Sequence, residues 1–136
     1  MKLCIETITV FNAALDPETG YDVYNPTVIN GVSWYSTIES TVTDEGLKAA
    51  NRFTIRVPLD ADFSGKSYVH PKQYADAEDR SGIFTLAQGD LIVHAAEMEA
   101  LTPAQLQEKY GEVVTVLGVT DNRRAPRAKH WRVVGK

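Results

Sequence analysis

The chain of 136 residues, 43% apolar and 24% charged with a net charge of −4, has ordinary globular proportions. It is long enough to bury roughly two thirds of its unfolded surface in one domain, 1–136, without covalent staples. A single cysteine, Cys4, excludes an intramolecular disulfide framework and a cysteine-based zinc site; no apolar run approaches the ~18 residues of a membrane span, and the opening Met-Lys-Leu-Cys-Ile-Glu lacks the apolar stretch of a secretory signal.

A soluble intracellular protein is expected. Its charge is polarised: residues 121–136 carry six basic side chains against Asp121 alone, a net +5, which leaves −9 on residues 1–120. Such asymmetry marks either contact with a polyanion or an acidic neighbour, or a solvated basic loop leaning on its own acidic body.

In chain order, Ile5 to Asn12 alternates loosely, with Ile8 and Val10 on one face, and predicts a first strand. Cys4 at its edge reads as an inert small apolar residue; a nucleophile there would need a histidine base nearby and an electropositive setting. Asp16-Pro17-Glu18-Thr19-Gly20 has the turn chemistry to join that strand to Tyr21-Asp22-Val23-Tyr24. Thr27 to Tyr35 predicts a strand with Val28, Val32 and Trp34 on one face. Asn30-Gly31 within it is either a two-residue hairpin turn or a glycine bulge in one long strand; the short flanks favour the bulge. Asp44 to Ala50 is compatible with a further turn of helix.

Phe53 to Leu59 places an apolar residue at every odd position, the pattern of a half-buried strand, and Pro58 sets it near an edge or ends it. The stretch 60–82 follows neither period, carries five acids and three breakers, and predicts a long loop of functional or mobile character. Leu91-Ile92-Val93 is a short strand. Thr102, Pro103 and Gln105 form a capping box with proline at the first helical position, predicting a short helix over 103–110 that Gly111 stops, with Pro103, Leu106 and Tyr110 on one face. Val113 to Val119 is apolar on both faces. In the last strand Trp131 and Val133 alternate with His130, Arg132 and Val134. The fold class expected is mainly β, a small antiparallel β-barrel or sandwich with one short α-helix and a long loop.

No catalytic signature is present. His70, His94 and His130 stand at no metal-ligand spacing from one another, and Asp60-Ala61-Asp62 lacks the spacing of a calcium loop. No metal, cofactor or enzyme activity is expected. The remaining constellation is the loop 121–130. Arg123, Arg124, Arg127 and Lys129 there form a candidate partner- or DNA-facing site, because guanidinium forks match phosphate and carboxylate oxygens.

Thr7 to Asn12, Asp16 to Gly20, Thr27 to Trp34, Gly89 to Val93, Val119 to Arg124 and His130 to Lys136 together make a pattern that resembles the small minor capsid proteins of tailed phages and Gram-positive prophages. The resemblance implies a non-catalytic head-completion or head–tail connector protein: a small β-barrel that self-associates into a ring beneath the portal. Some members close the DNA channel with a long loop. The partners implied are the portal or connector and tail-completion proteins, with non-specific contact to packaged DNA and no membrane. The location implied is the virion neck, after assembly from the host bacterial cytoplasm. On this view the 60–82 loop, with Asp60, Asp62, Tyr68 and Tyr74, is the candidate for inter-subunit or channel contact. The alternative is a single-stranded nucleic-acid-binding β-barrel using the basic loop with Trp131 and Tyr110 as stacking platforms. A hydrolase built on the acids of Asp60–Asp79 is the third reading.

Overall fold

The computed structural model describes residues 5–43, 46–124, 126–127 and 129–136, with the side chains of 39–43 and 47–50 left aside. Cys4 lies outside the described residues.

Six strands close into an antiparallel barrel. They are β1 (Glu6–Leu15), β2 (Asp22–Thr43), β3 (Gly46–Pro58), β6 (Leu91–Val93), β7 (Val114–Asp121) and β8 (His130–Gly135), in the order β1-β2-β3-β8-β7-β6. Between β3 and β6 lie β4 (Ser67–Tyr68), α1 (Pro71–Asp76) and β5 (Ile83–Phe84), with β4 and β5 a parallel pair. Helix α2 (Pro103–Tyr110) precedes β7. The mainly β fold expected is observed, and of the two architectures expected, barrel or sandwich, it is the barrel.

The interior is filled. Ile8, Val10, Ile55, Val57, Ile92 and Val133 are wholly buried in one cluster with Phe84 and Trp131. Alternation drives this: Phe53, Ile55 and Val57 point inward while Arg56 stays exposed, and Trp131 and Val133 point inward while Arg132 stays exposed. Pro58 is the last residue of β3, as its missing donor requires.

The Asn30-Gly31 pair is a bulge. The β1–β2 register passes from Thr7↔Asn30 to Glu6↔Val32, leaving Gly31 unopposed at φ +90°, a conformation that favours glycine. The extra residue reverses the pleat. Thr27 and Ile29 face inward before it, Val32 after it, so Val28 does not share a face with Val32 and Trp34 as strict alternation predicted.

A second cluster lies outside the barrel wall. Phe11, Leu91 and Val93 pack against Leu106 of α2. The capping box is complete, Thr102 Oγ1 accepting from Gln105 N and Gln105 Oε1 from Thr102 N, and Gly111 ends the helix in the left-handed region. Leu106 is its one buried residue; Pro103, expected on the same buried face, is exposed. An eight-residue helix is marginal alone, so this docking holds it.

A buried polar network ties β1 to the approach to β6. The Asp90 carboxylate accepts from Asn12 Nδ2 at 2.8 Å and from the backbone N–H groups of Ala13 and Ala87, each at 3.1 Å. Asn12 Nδ2 also donates to Thr85 O at 2.6 Å.

Two expectations are corrected. Residues 46–50 are strand, not a turn of helix: Gly46 to Ala50 pair with Thr43 to Glu39 in an unbroken ladder, and cross-strand pairing overrides the helical propensity of Leu47-Lys48-Ala49-Ala50. The segment 60–82 is also no open loop. It contains α1 and β4, which pairs with β5 just after the segment, so the described residues hold two helices instead of one.

Candidate functional site

Segment 60–82 folds across one end of the barrel. Asp62 and Asn30 exchange two backbone hydrogen bonds of 2.9 Å. Ser64 Oγ donates to Val28 O, and Lys66 Nζ to Pro26 O and Thr27 Oγ1; burial pushes the Lys66 ammonium below its usual pKa. Phe63 stacks on Phe84 at 5.1 Å, and Tyr68 meets Trp131 at 4.5 Å. These aromatic rings close the end of the barrel.

This geometry decides the candidates in the segment. Asp60 and Asp62 are exposed, with Asp62 Oδ1 accepting from Ser64 N. Tyr68 is half-buried in the aromatic closure, and burial raises its hydroxyl pKa. Tyr74, on α1, is 2% exposed and its hydroxyl accepts from Asn25 Nδ2. It is core of this chain, so only the two acids of the four candidates stand open to a partner.

The basic loop divides in the same way. Arg123 is held twice over. Its Nε and Nη2 reach the two oxygens of Asp121 at 2.9 and 2.6 Å, and its guanidinium lies 5.2 Å from the ring centroids of both Tyr68 and Trp131. Asp121 is correspondingly held down to about 2, chiefly by the hydrogen bond from Arg123. Arg123 therefore caps the aromatic closure and is not a free cation. Arg124, Arg127 and Lys129 are exposed and are the part of this loop open to an anion. Trp131, offered as a stacking platform, is 3% exposed and belongs to the core. Tyr110 packs on the α2 cluster.

Two features escaped the sequence. The first is an arm. Beyond Val32 the strand β2 has lost β1, and before Phe53 the strand β3 has not yet met β8. From Thr37↔Arg52 to Thr43↔Gly46 the two strands form a two-stranded ribbon that no other strand among the described residues joins. Its root is pinned where His94 stacks on Trp34 at 4.3 Å and meets Glu6 Oε2 at 2.9 Å. Ile38 on it is 71% exposed, and Tyr35 just before it 60%. The β-branched and hydroxyl-rich run Ser36 to Thr43 was the available signal.

The second is a face. Register sets Ser33, Arg56, Arg132 and Thr120 in one outward row across β2, β3, β8 and β7, and Tyr35, Thr54, Val134 and Gly118 in the next. Arg56 and Arg132 are directly opposite each other and both exposed. Each was legible as an outward residue of its own strand; that they meet depends on long-range register, which no local pattern encodes.

Among the described residues no three His, Cys, Asp or Glu side chains gather as a metal site, and no helix is long and apolar enough to cross a membrane. The chain belongs to the family of unknown function DUF6751, whose profile matches residues 3–136. No curated protein and no solved structure matches it.

Proposed function

We propose that this protein is a structural, non-catalytic subunit of a phage or prophage particle, a ring-forming component of the head–tail neck that sits beneath the portal. The observation that carries the reading is the arm. A closed barrel has no edges to offer, yet this one extends a two-stranded ribbon that no other strand among the described residues joins, and an isolated two-stranded ribbon is marginal in water. It acquires its missing partners in an assembly. A ring subunit needs two different complementary surfaces for heterologous contacts that close, and an arm on a rigid body supplies one of them. The pattern similarity to minor capsid proteins along the chain supports the same role. The arm replaces segment 60–82 as the element that reaches a neighbour or the channel.

Quantitative mass spectrometry of purified particles from the source strain tests this. The protein is expected in simple stoichiometry with the portal protein and retained after high-salt washing. Replacing residues 37–52 by an Asn-Gly turn is expected to leave a folded barrel that no longer enters particles. Absence of the unmodified protein from intact tailed particles refutes the assignment.

A further inference from the structure

We infer that the outer face of β2–β3–β8–β7 is a contact surface for a nucleic-acid phosphate backbone, with Arg56 and Arg132 as its phosphate ligands and Tyr35 beside them as a base-stacking platform. This is independent of the neck assignment, because it concerns the isolated protein in solution.

The argument starts from a cost. Like charges directly opposite on one sheet face repel, and Arg56 and Arg132 are such a pair. Neither guanidinium has an ion pair or hydrogen bond among the described residues, and their two outward rows contain no carboxylate, although the chain as a whole is acidic. The remedy is an anion from outside.

The position suits one. The outer wall at β1 and β6 is covered by α2 through Phe11, Leu91 and Val93, whereas nothing among the described residues covers Arg56, Arg132 or Thr120, all exposed.

The chemistry of the rows selects phosphate. Ser33 and Thr120 place a hydroxyl at each end of the arginine pair, and hydroxyls and guanidinium groups are the usual donors to phosphodiester oxygens. Two adjacent forks call for consecutive anionic groups, which a backbone repeats and a lone carboxylate does not. Tyr35, one row away and 60% exposed, offers an aromatic face to an unpaired base. A second copy of this acidic chain is the competing occupant, and the test separates it.

Fluorescence anisotropy with a labelled mixed-sequence single strand and with its duplex is read across a salt titration. The unmodified protein is expected to bind with an affinity that falls steeply with salt. In R56T/R132T, where threonine preserves strand propensity, the log–log salt slope is expected to become shallower by about 1.4 on the single strand and about 1.8 on the duplex. R56K/R132K retains the slope. Y35A weakens the single strand at least about fivefold and leaves the duplex unchanged, and K72A, on α1, changes neither. The same variants are followed by circular dichroism and by sedimentation velocity. The inference is overturned if the unmodified protein binds neither probe, or if folded R56T/R132T keeps the original slope. It is also overturned if R56T/R132T abolishes self-association while nucleic-acid binding is unaltered, which gives the face to a second copy.

Discussion

Replacing Asp90 by alanine tests the polar network inside the wall of the barrel. The side chain is 4% exposed, and three N–H groups, from Asn12, Ala13 and Ala87, end on its carboxylate. Alanine leaves Asn12 with its bond to Thr85 O but strands the backbone donors of Ala13 and Ala87. An unsatisfied buried donor costs about 1–3 kcal/mol. Water relieves part of this at the half-buried alanines, and removing a buried charge offsets more, so the net loss is expected at about 2–4 kcal/mol. Urea unfolding at neutral pH measures it as a lower midpoint at unchanged slope. The sign of the pH dependence follows from the carboxyl itself. Burial raises its pKa in the folded state, against the pull of its three donors. The folded chain therefore binds this proton more readily than the unfolded chain does. Stability from Asp90 is greatest below the ordinary value of ~3.9 and declines as pH rises through the folded pKa, so the gap between parent and Asp90→Ala narrows over that window. A loss below about 0.5 kcal/mol refutes the network's structural role, and a gap that widens with pH refutes burial as the dominant influence.

A matched pair of glycine variants tests the packing of β7 on β8. At Gly135 a Cβ would lie 2.5 Å from Val114 Cγ1 and 2.6 Å from Thr115 O, whereas at Gly118 it meets nothing within 4 Å. Thermal denaturation is expected to show Gly135→Ala destabilised by about 1–3 kcal/mol and Gly118→Ala neutral or stabilised by up to about 1 kcal/mol. Leu106→Ala removes the one buried side chain of α2 and is expected to cost about 2–5 kcal/mol in urea unfolding, with the helical signal at 222 nm lost first if the helix undocks before the barrel opens.

Where structure is local, the sequence carried it. Thr102, Gln105 and Gly111 specify both ends of α2 within a few residues, and the alternation at Phe53–Val57 and Trp131–Val133 fixes which sides of β3 and β8 are core. Where a partner distant in sequence decides, it did not. Leu47 to Ala50 are helix formers held in a strand by Glu39 to Val42 opposite them. Segment 60–82 is aperiodic because its apolar residues, Phe63 and Tyr68, meet the end of a barrel and not a sheet or helix face. The basic loop was visible as charge, but its division was not: Arg123 is withdrawn by Asp121 and two rings, while Arg56 and Arg132, far apart in sequence and each alone among apolar neighbours, come together only through register.

The unopposed Gly31 has a consequence for comparing members of the family. Everything distal to it on β2 is read in shifted phase, so a protein lacking one residue at this point would carry its tyrosine and serine on the opposite side of the strand and its tryptophan outward. Substitutions along the arm would then be uninformative until that single gap is placed. The identity of this surface is written in chain length at position 31 before it is written in the side chains beyond it.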